Sequence, residues 1–237
     1  MNFYESIADY YDYIFPENEI KYQFFKNSLK KKKNQLLDIG CSTGGFSALV
    51  GENNKVIAID LDTKMIEIAR KKVNNSNIEF IEMDMLNIEE KYGQYAFDVV
   101  TCFGNTLVHL ETSCCISNFF SLVKRVLKPD GIFLFQIINY DRIFQNKVKE
   151  LPTIENQKIK FERYYKHLPD NYISFNTVLT IKENNKKIIN EQKLYGIKKD
   201  EIINLLQVNG FKNIEIYGSF KQEPYTENSY ALVVKTQ

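Results

Sequence analysis

Apolar runs alternate with amphipathic segments along the first 140 residues of the chain. Five runs rich in aliphatic and aromatic residues predict strands, and they read QLLDIG, KVIAID, NIEFIEMD, FDVVTCF and IFLFQII. Between strands, TKMIEIARKKV and SCCISNFFSLVKRVL repeat apolar residues at helical spacing, and KPDG predicts a turn at the end of the second helix. Strands that alternate with helices predict a parallel α/β sheet.

The pattern differs at the two ends of this region. Residues 3–32 predict one or two helices that are broken near Pro16. After about residue 140, KIKFERYYKHL, YISFNTVLTIKE and KIINEQKLYGI predict antiparallel strands, and a helix and two strands then follow. The predicted fold class is α/β, with a mostly parallel seven-stranded sheet, helices on both faces and a small antiparallel β insertion. We predict a single domain over 1–237 with a β-rich cap inserted at 141–197.

Composition narrows the possible partners. Lys and Arg number 31 against 30 Asp and Glu, a balance that argues against a nucleic-acid-binding protein. The acidic, aromatic start does not resemble a signal peptide, and no apolar run reaches the roughly 20 residues of a membrane span. No cysteines form a CxxC pair. We therefore expect a soluble, cytoplasmic protein. The two histidines, His109 and His167, lie far apart without a neighbouring acidic cluster, so we predict no metal site.

The stretch LLDIGCSTGG joins a predicted strand to a predicted helix through a bend of small residues. Glycines in such a bend let backbone N–H groups approach a ligand closely. Gly40, Ser42 and Gly45 approximate the G-x-G-x-x-G pattern with serine in the middle, and Asp60 follows Gly40 by 20 residues. Alone, this pattern fits either a nicotinamide cofactor or S-adenosylmethionine (AdoMet).

Carboxylates at neighbouring strand ends favour AdoMet. Asp38 stands at the mouth of the bend, where it would repel a pyrophosphate but attract an ammonium or a sulfonium. Asp84 ends the third strand and could accept a hydrogen bond from an adenine amino group, with Met85 packed against the ring. Ligands of open α/β sheets bind at the carboxyl ends of the strands, where these residues lie.

Five motifs in order along the chain are LLDIGCSTGG, VIAIDLDTKMI, FIEMDML, FDVVTCFGNTLVHL and VKRVLKPDGIFLFQI. Together they resemble the motifs of the class I AdoMet-dependent methyltransferases of small-molecule type. The resemblance covers about residues 35–138 and implies a Rossmann-like fold with AdoMet as cofactor. It also implies the cofactor contacts: Asp38 and Gly40 at the methionine part, Asp60 at the ribose hydroxyls, Leu61, Asp84 and Met85 at the adenine, Phe103 beside the sulfonium, and Tyr11 from the N-terminal ADYYD segment.

Two positions leave alternatives open. The family's usual G-x-G-x-G reads here as Gly40-Cys41-Ser42-Thr43-Gly44, so Ser42 must adopt a backbone geometry that glycine usually supplies. Tyr11 lies on an amphipathic segment that could instead simply pack on the domain.

Acceptor contacts are predicted in the loop after the fourth strand and in the cap. The loop CFGNTLVHL lacks the Pro-Pro of nucleobase and glutamine methylases, and it resembles the loop of small-molecule N-methyltransferases. Asn105 and His109 are the candidate catalytic residues, although either could serve only the loop structure. On a cap strand, alternation directs Arg163 and Tyr165 to one face and Tyr164 to the other. An arginine there would suit an acceptor with a carboxylate or phosphate.

The resulting functional prediction is methyl transfer from AdoMet to a nitrogen or oxygen of a small molecule by in-line displacement. The alternatives are an RNA or protein methyltransferase, a nicotinamide-dependent oxidoreductase, and a noncatalytic binding module of the same fold. Asp38 argues against the oxidoreductase. The sequence does not specify the acceptor or the oligomeric state.

Overall fold

The computed structural model describes residues 3–237, which form two β-sheets. The strands are β1 (Gln35–Ile39), β2 (Lys55–Asp60), β3 (Ile78–Glu82), β4 (Phe97–Cys102), β5 (Leu127–Ile138), β6 (Glu150–Glu155), β7 (Ile159–His167), β8 (Tyr172–Ile181), β9 (Lys186–Tyr195), β10 (Glu215–Tyr217) and β11 (Ala231–Thr236). The larger sheet has the order β10-β11-β5-β4-β1-β2-β3, and β11 runs antiparallel to both its neighbours. This confirms the predicted mostly parallel, seven-stranded sheet.

Helices cover both faces of this sheet because its central strands are apolar on both faces. The helices are α1 (Phe3–Ile7), α2 (Tyr11–Ile14), α3 (Glu19–Ser28), α4 (Gly45–Val50), α5 (Thr63–Lys72), α6 (Ile88–Tyr92), α7 (Ser113–Val126), α8 (Tyr140–Gln145) and α9 (Lys199–Val208). Leu36 and Leu37 are successive residues of β1, yet they belong to two different buried clusters. Successive strand residues point to opposite faces, so each cluster fills one side of the sheet. Among residues 3–237, no helix has the length and apolar character needed to cross a bilayer.

The segment KPDG is not a separate turn before the fifth strand, so that prediction is wrong. Helix α7 ends at Val126, and β5 begins at once with Leu127 paired to Phe97. The register then shifts, so that Val99 pairs with Ile132 and the four residues between are looped out of the ladder. Asp130 has a φ of +63°, which a short polar side chain tolerates. Turn-forming residues therefore produce a bulge inside a strand.

The smaller sheet is antiparallel, with the order β6-β7-β8-β9. Its strands occupy residues 150–195, and three of them were predicted. The sequence analysis missed both β6 and α8. Strand β6 contains Pro152, which is tolerated because β6 lies at the edge of the sheet. The division into a single domain with a cap at 141–197 stays a prediction.

The N-terminal helices pack against the smaller sheet. Helix α2 ends at Ile14 and α3 begins at Glu19, so the predicted break near Pro16 is present. Phe3 and Phe15 make edge-to-face contacts with Phe175 and Phe161, each with ring centroids 6.0 Å apart. The N-terminal helices and the smaller sheet thus enclose a space above the carboxyl ends of β1, β2 and β4.

Candidate functional site

A cavity of about 540 Å³ lies between the two sheets, which is a typical volume for a small-molecule site. Ten predicted site residues line it: Tyr11, Asp38, Gly40, Asp60, Leu61, Asp84, Met85, Phe103, Asn105 and His109. Residues that are up to 98 positions apart in the sequence therefore meet in one place. Their individual roles stay predictions, and their geometry indicates what each could do.

Three residues of the glycine bend have backbone φ angles in the left-handed region, as the sequence predicts. Gly40, Ser42 and Gly44 have φ values of +72°, +51° and +76°. A Cβ atom on Gly40 would lie 2.4 Å from the Thr106 hydroxyl oxygen, so only glycine fits there. Ser42 adopts the left-handed region despite its side chain. Its backbone N–H donates to Asp60 Oδ2 at 2.9 Å, and its hydroxyl donates to the Tyr11 hydroxyl at 3.0 Å.

Asp38 is a buried carboxylate, 3% exposed, at the end of the cavity nearest the bend. It accepts hydrogen bonds from Ser47 Oγ at 2.6 Å and from Thr101 Oγ1 at 2.8 Å. Burial raises the pKa of Asp38 to about 6, although these two hydroxyls counteract the shift. The ionised carboxylate is thus incompletely compensated by the protein and would gain from a cationic ligand.

Asp60 also combines burial with hydrogen bonds to the backbone. It accepts from the N–H groups of Ser42 and Asp62, at 2.9 and 3.0 Å. Burial raises its pKa, and the two backbone hydrogen bonds act in the opposite direction. Asp60 therefore supports the bend and at the same time presents its carboxylate to the cavity.

The remaining predicted cofactor residues line the cavity with one acidic side chain and several apolar ones. Asp84 accepts a hydrogen bond from the Leu86 N–H at 2.8 Å, so it organises its own turn while lining the cavity. Leu61 is 66% exposed at the rim of the cavity. Phe103 is buried and packs edge-to-face on Phe46, with ring centroids 5.3 Å apart. The site thus offers an acid and apolar surfaces to a planar ring.

The two candidate catalytic residues, Asn105 and His109, differ in how many of their polar atoms are hydrogen-bonded within the protein. Asn105 donates to the Tyr140 hydroxyl at 3.1 Å and accepts from the Ile138 N–H at 2.9 Å, so both ends of its amide are engaged. His109 shares one hydrogen bond, 2.7 Å long, between its Nε2 and the Tyr4 hydroxyl. Burial lowers the pKa of His109 to about 4, and its imidazole is therefore neutral at pH 7.

The smaller sheet supplies the opposite wall of the cavity. Arg163 and Tyr165 line it, whereas Tyr164 is exposed on the other face, as alternation along β7 requires. His167 lies outside the cavity, where its Nε2–H donates to the Val148 carbonyl at 2.9 Å. Tyr4 and Gln192 were missed by the sequence analysis. They lie on segments far from the motifs in sequence, and no local pattern distinguishes them.

The charge distribution of the cavity fits AdoMet better than a dinucleotide. Five carboxylates line the cavity, on Glu17, Asp38, Asp60, Asp62 and Asp84, and Lys21, which is paired with Glu17, is a cation beside them. AdoMet would present an ammonium and a sulfonium to this region, whereas a pyrophosphate would be repelled. Among residues 3–237, no group of His, Cys, Asp and Glu side chains could hold a metal ion.

Comparison of the sequence with known proteins finds similarity to methyltransferases. A family model described as a methyltransferase domain matches residues 36–131. A protein of Geobacillus sp. strain WCH70, provisionally named a methyltransferase, is 33% identical over 159 residues, or 61% of this chain and 62% of that protein. The glycine/sarcosine N-methyltransferase of Aphanothece halophytica is 26% identical over 216 residues, or 87% of this chain and 77% of that enzyme. The chain thus spans less than two thirds of the Geobacillus relative.

Comparison of the structure with solved structures shows the same fold. An AdoMet-dependent methyltransferase of Clostridium acetobutylicum superimposes with a TM-score of 0.82 at 17% identity, covering 100% of this chain and 99% of that one. An amino pentose methyltransferase of Micromonospora echinaspora, solved with AdoMet bound, has a TM-score of 0.68 at 14% identity and covers 99% and 92% of the two chains. Both similarities extend through the smaller sheet.

Proposed function

We propose that this chain, which has the fold of AdoMet-dependent methyltransferases and a matched methyltransferase domain over residues 36–131, methylates a nitrogen or oxygen of a small molecule. One observation carries the proposal. The cavity that the predicted cofactor residues line is covered by the smaller sheet and the N-terminal helices. A cavity of about 540 Å³ under this cover has room for a cofactor and a small acceptor, and it favours a small molecule over a folded macromolecule.

The residues next to the glycine bend would hold AdoMet, whose sulfonium supplies an activated methyl group. Asp38 would accept from the ammonium, and Asp60 would accept from the ribose hydroxyls. Asp84 would accept from the adenine amino group, while Leu61 and Met85 would cover the ring. Phe103 would exclude water beside the sulfonium. The work of these residues is to fix the orientation of the methyl group toward the space below the smaller sheet.

The acceptor would enter from the smaller sheet and attack in line with the bond that breaks. An amine or hydroxyl acceptor releases one proton in this step. His109 lines the cavity wall with one ring nitrogen hydrogen-bonded to Tyr4, and its other ring nitrogen would receive that proton. Asn105 would act as a positioning residue, because its amide ties the loop to Ile138 and Tyr140.

Calorimetric titration of the purified protein tests the cofactor. We expect micromolar binding of AdoMet and S-adenosylhomocysteine and no binding of NADH. The same protein is then assayed for S-adenosylhomocysteine formation with panels of small amines, amino acids, hydroxyl compounds, RNA and peptides. Turnover confined to small molecules is the expected result. Binding of NADH alone, or turnover confined to RNA or peptides, would contradict the proposal.

Replacement of His109 by Gln tests its predicted role in proton transfer. We expect kcat with the best small acceptor to fall about 100-fold, since a positioned acid or base commonly contributes that much or more. Affinity for S-adenosylhomocysteine should stay within about twofold. His167→Gln is the matched control, because His167 lies outside the cavity. An unchanged kcat in His109→Gln would show that His109 serves only the structure.

A further inference from the structure

Buried polar groups without partners lie together on the face of the smaller sheet that turns toward the cavity. Arg163 Nε, Tyr165 Oη and Thr177 Oγ1 are buried and have no hydrogen-bond partner. Arg163 and Thr177 are cross-strand neighbours on β7 and β8, and Tyr165 is two residues further along β7 on the same face. Tyr165 is only 5% exposed, although its hydroxyl needs a partner. Such groups are costly unless something satisfies them.

Arg163 also lacks a counter-charge. Within residues 3–237, no acidic side chain forms an ion pair with its guanidinium, and burial lowers the pKa of Arg163, with only a charge interaction from Tyr165 acting in the opposite direction. One of its N–H groups, at Nη2, donates to the Pro152 carbonyl at 2.6 Å, and this contact fixes the side chain. A partly buried cation without a carboxylate on a cavity wall is the arrangement that an anionic ligand completes.

We propose that the methyl acceptor carries a carboxylate, which binds the Arg163 guanidinium and the Tyr165 hydroxyl. This inference rests on the proposed function and specifies its substrate class. The acceptor would therefore be a small amino or hydroxy acid. Its carboxylate would lie against the smaller sheet, and its nucleophilic atom would point toward the glycine bend.

The positive charge at this wall of the cavity favours a carboxylate over a phosphate as the acidic group of the acceptor. Among the residues that line this wall, Arg163 contributes one positive charge, which matches a monoanion, while Arg142 acts on Tyr165 from outside the lining. Its Nε–H group and the Tyr165 O–H group can each donate to one carboxylate oxygen. Burial raises the pKa of Tyr165, so its hydroxyl keeps the proton that it would donate.

The surroundings also define the orientation and the size of the acceptor. The carboxylates of Asp38, Asp60 and Asp84 lie in the cofactor part of the cavity and would repel the acceptor's own carboxylate from there. Leu151, Phe175 and Leu194 form the apolar wall around Arg163 and Tyr165. The acceptor is thus held at its acidic end and packed along an apolar body.

The experiment measures binding of matched pairs of small amino acids and their primary amides to the full chain saturated with S-adenosylhomocysteine. We expect the best acid to bind at least about tenfold more tightly than its amide. Arg163→Gln should remove this preference, and Tyr165→Phe should weaken acid binding several-fold. Tyr164→Phe is the matched control for Tyr165, because Tyr164 is exposed on the opposite face. Lys166→Gln is the control for loss of a positive charge.

Three outcomes would overturn the inference. They are equal binding of acids and amides by the wild-type protein, an acid preference that survives in Arg163→Gln, and a panel in which no acid binds although S-adenosylhomocysteine does. The first comparison uses only the wild-type protein, so it does not depend on the folding of a variant. Failure of the wild-type protein to bind S-adenosylhomocysteine would instead contradict the proposed function.

Discussion

Replacing Asp60 with Ala should lower the affinity for AdoMet and S-adenosylhomocysteine about 100-fold or more. We expect the carboxylate to accept from two ribose hydroxyls, and hydrogen bonds to a charged group contribute about 1.5–3 kcal/mol each. Because about 1.4 kcal/mol corresponds to a tenfold change in affinity, the loss of both bonds accounts for the expected effect. The bend would lose support too, since Asp60 also accepts from the Ser42 N–H. Calorimetric titration gives the dissociation constants directly.

The control for Asp60 lies beside it in the sheet. Glu82 is the register partner of Asp60 on β3, but its side chain is exposed and does not line the cavity. Glu82→Ala should therefore bind S-adenosylhomocysteine with wild-type affinity. If Asp60→Ala also kept wild-type affinity, the assignment of the cofactor to this cavity would be wrong.

Replacing Asp38 with Asn should stabilise the ligand-free protein and at the same time weaken S-adenosylhomocysteine binding by about 10- to 100-fold. Burial raises the pKa of Asp38 from 3.8 to about 6. One pKa unit corresponds to about 1.4 kcal/mol, so the ionised carboxylate costs about 3 kcal/mol of folding free energy at pH 7. The neutral amide avoids most of that cost but cannot neutralise the ligand's ammonium. Urea denaturation and calorimetry measure the two effects separately.

The pH dependence of both effects follows from the direction of the shift. Between about pH 4 and pH 6, the folded protein keeps a proton on Asp38 that the unfolded chain releases, so the stability contributed by this group falls as the pH rises through that window. The stability advantage of Asp38→Asn should therefore grow from about pH 4 to pH 6 and then level off. Wild-type affinity for S-adenosylhomocysteine should decrease below about pH 6, because the proton competes with the ammonium. Asp60, whose pKa burial also raises, adds to this decrease in both proteins.

Asp98 provides a control, because its pKa is lowered whereas that of Asp38 is raised. Burial acts to raise its pKa, but hydrogen bonds from the Gln35 N–H, Lys128 and Lys31 outweigh it and lower the pKa of Asp98 to about 2. Asp98→Asn should therefore destabilise the protein at pH 7, and it should leave ligand affinity unchanged because Asp98 does not line the cavity. A ligand-free Asp38→Asn protein less stable than wild type at pH 7 would contradict the electrostatic argument.

Sequence patterns predicted most of the larger sheet because its signals are local. The central strands are apolar and the helices between them have periodic apolar faces, so each element can be identified without its neighbours. The elements that were missed have weak local signals. Strand β6 contains Pro152 and exposed positions, and the KPDG segment carries turn residues that only pairing between Leu127 and Phe97 draws into β5.

The sequence by itself also determined which residues could meet a cofactor, because parallel strands end at one edge of a sheet and the acids follow those strands. Only the tertiary structure decided how these residues are used. Packing of distant segments joined His109 to Tyr4 and engaged both ends of the Asn105 amide. It also left Arg163 and Tyr165 with buried polar atoms that have no partner. Hydrogen-bond satisfaction and burial depend on every group around an atom, and those groups come from parts of the chain that no local pattern connects.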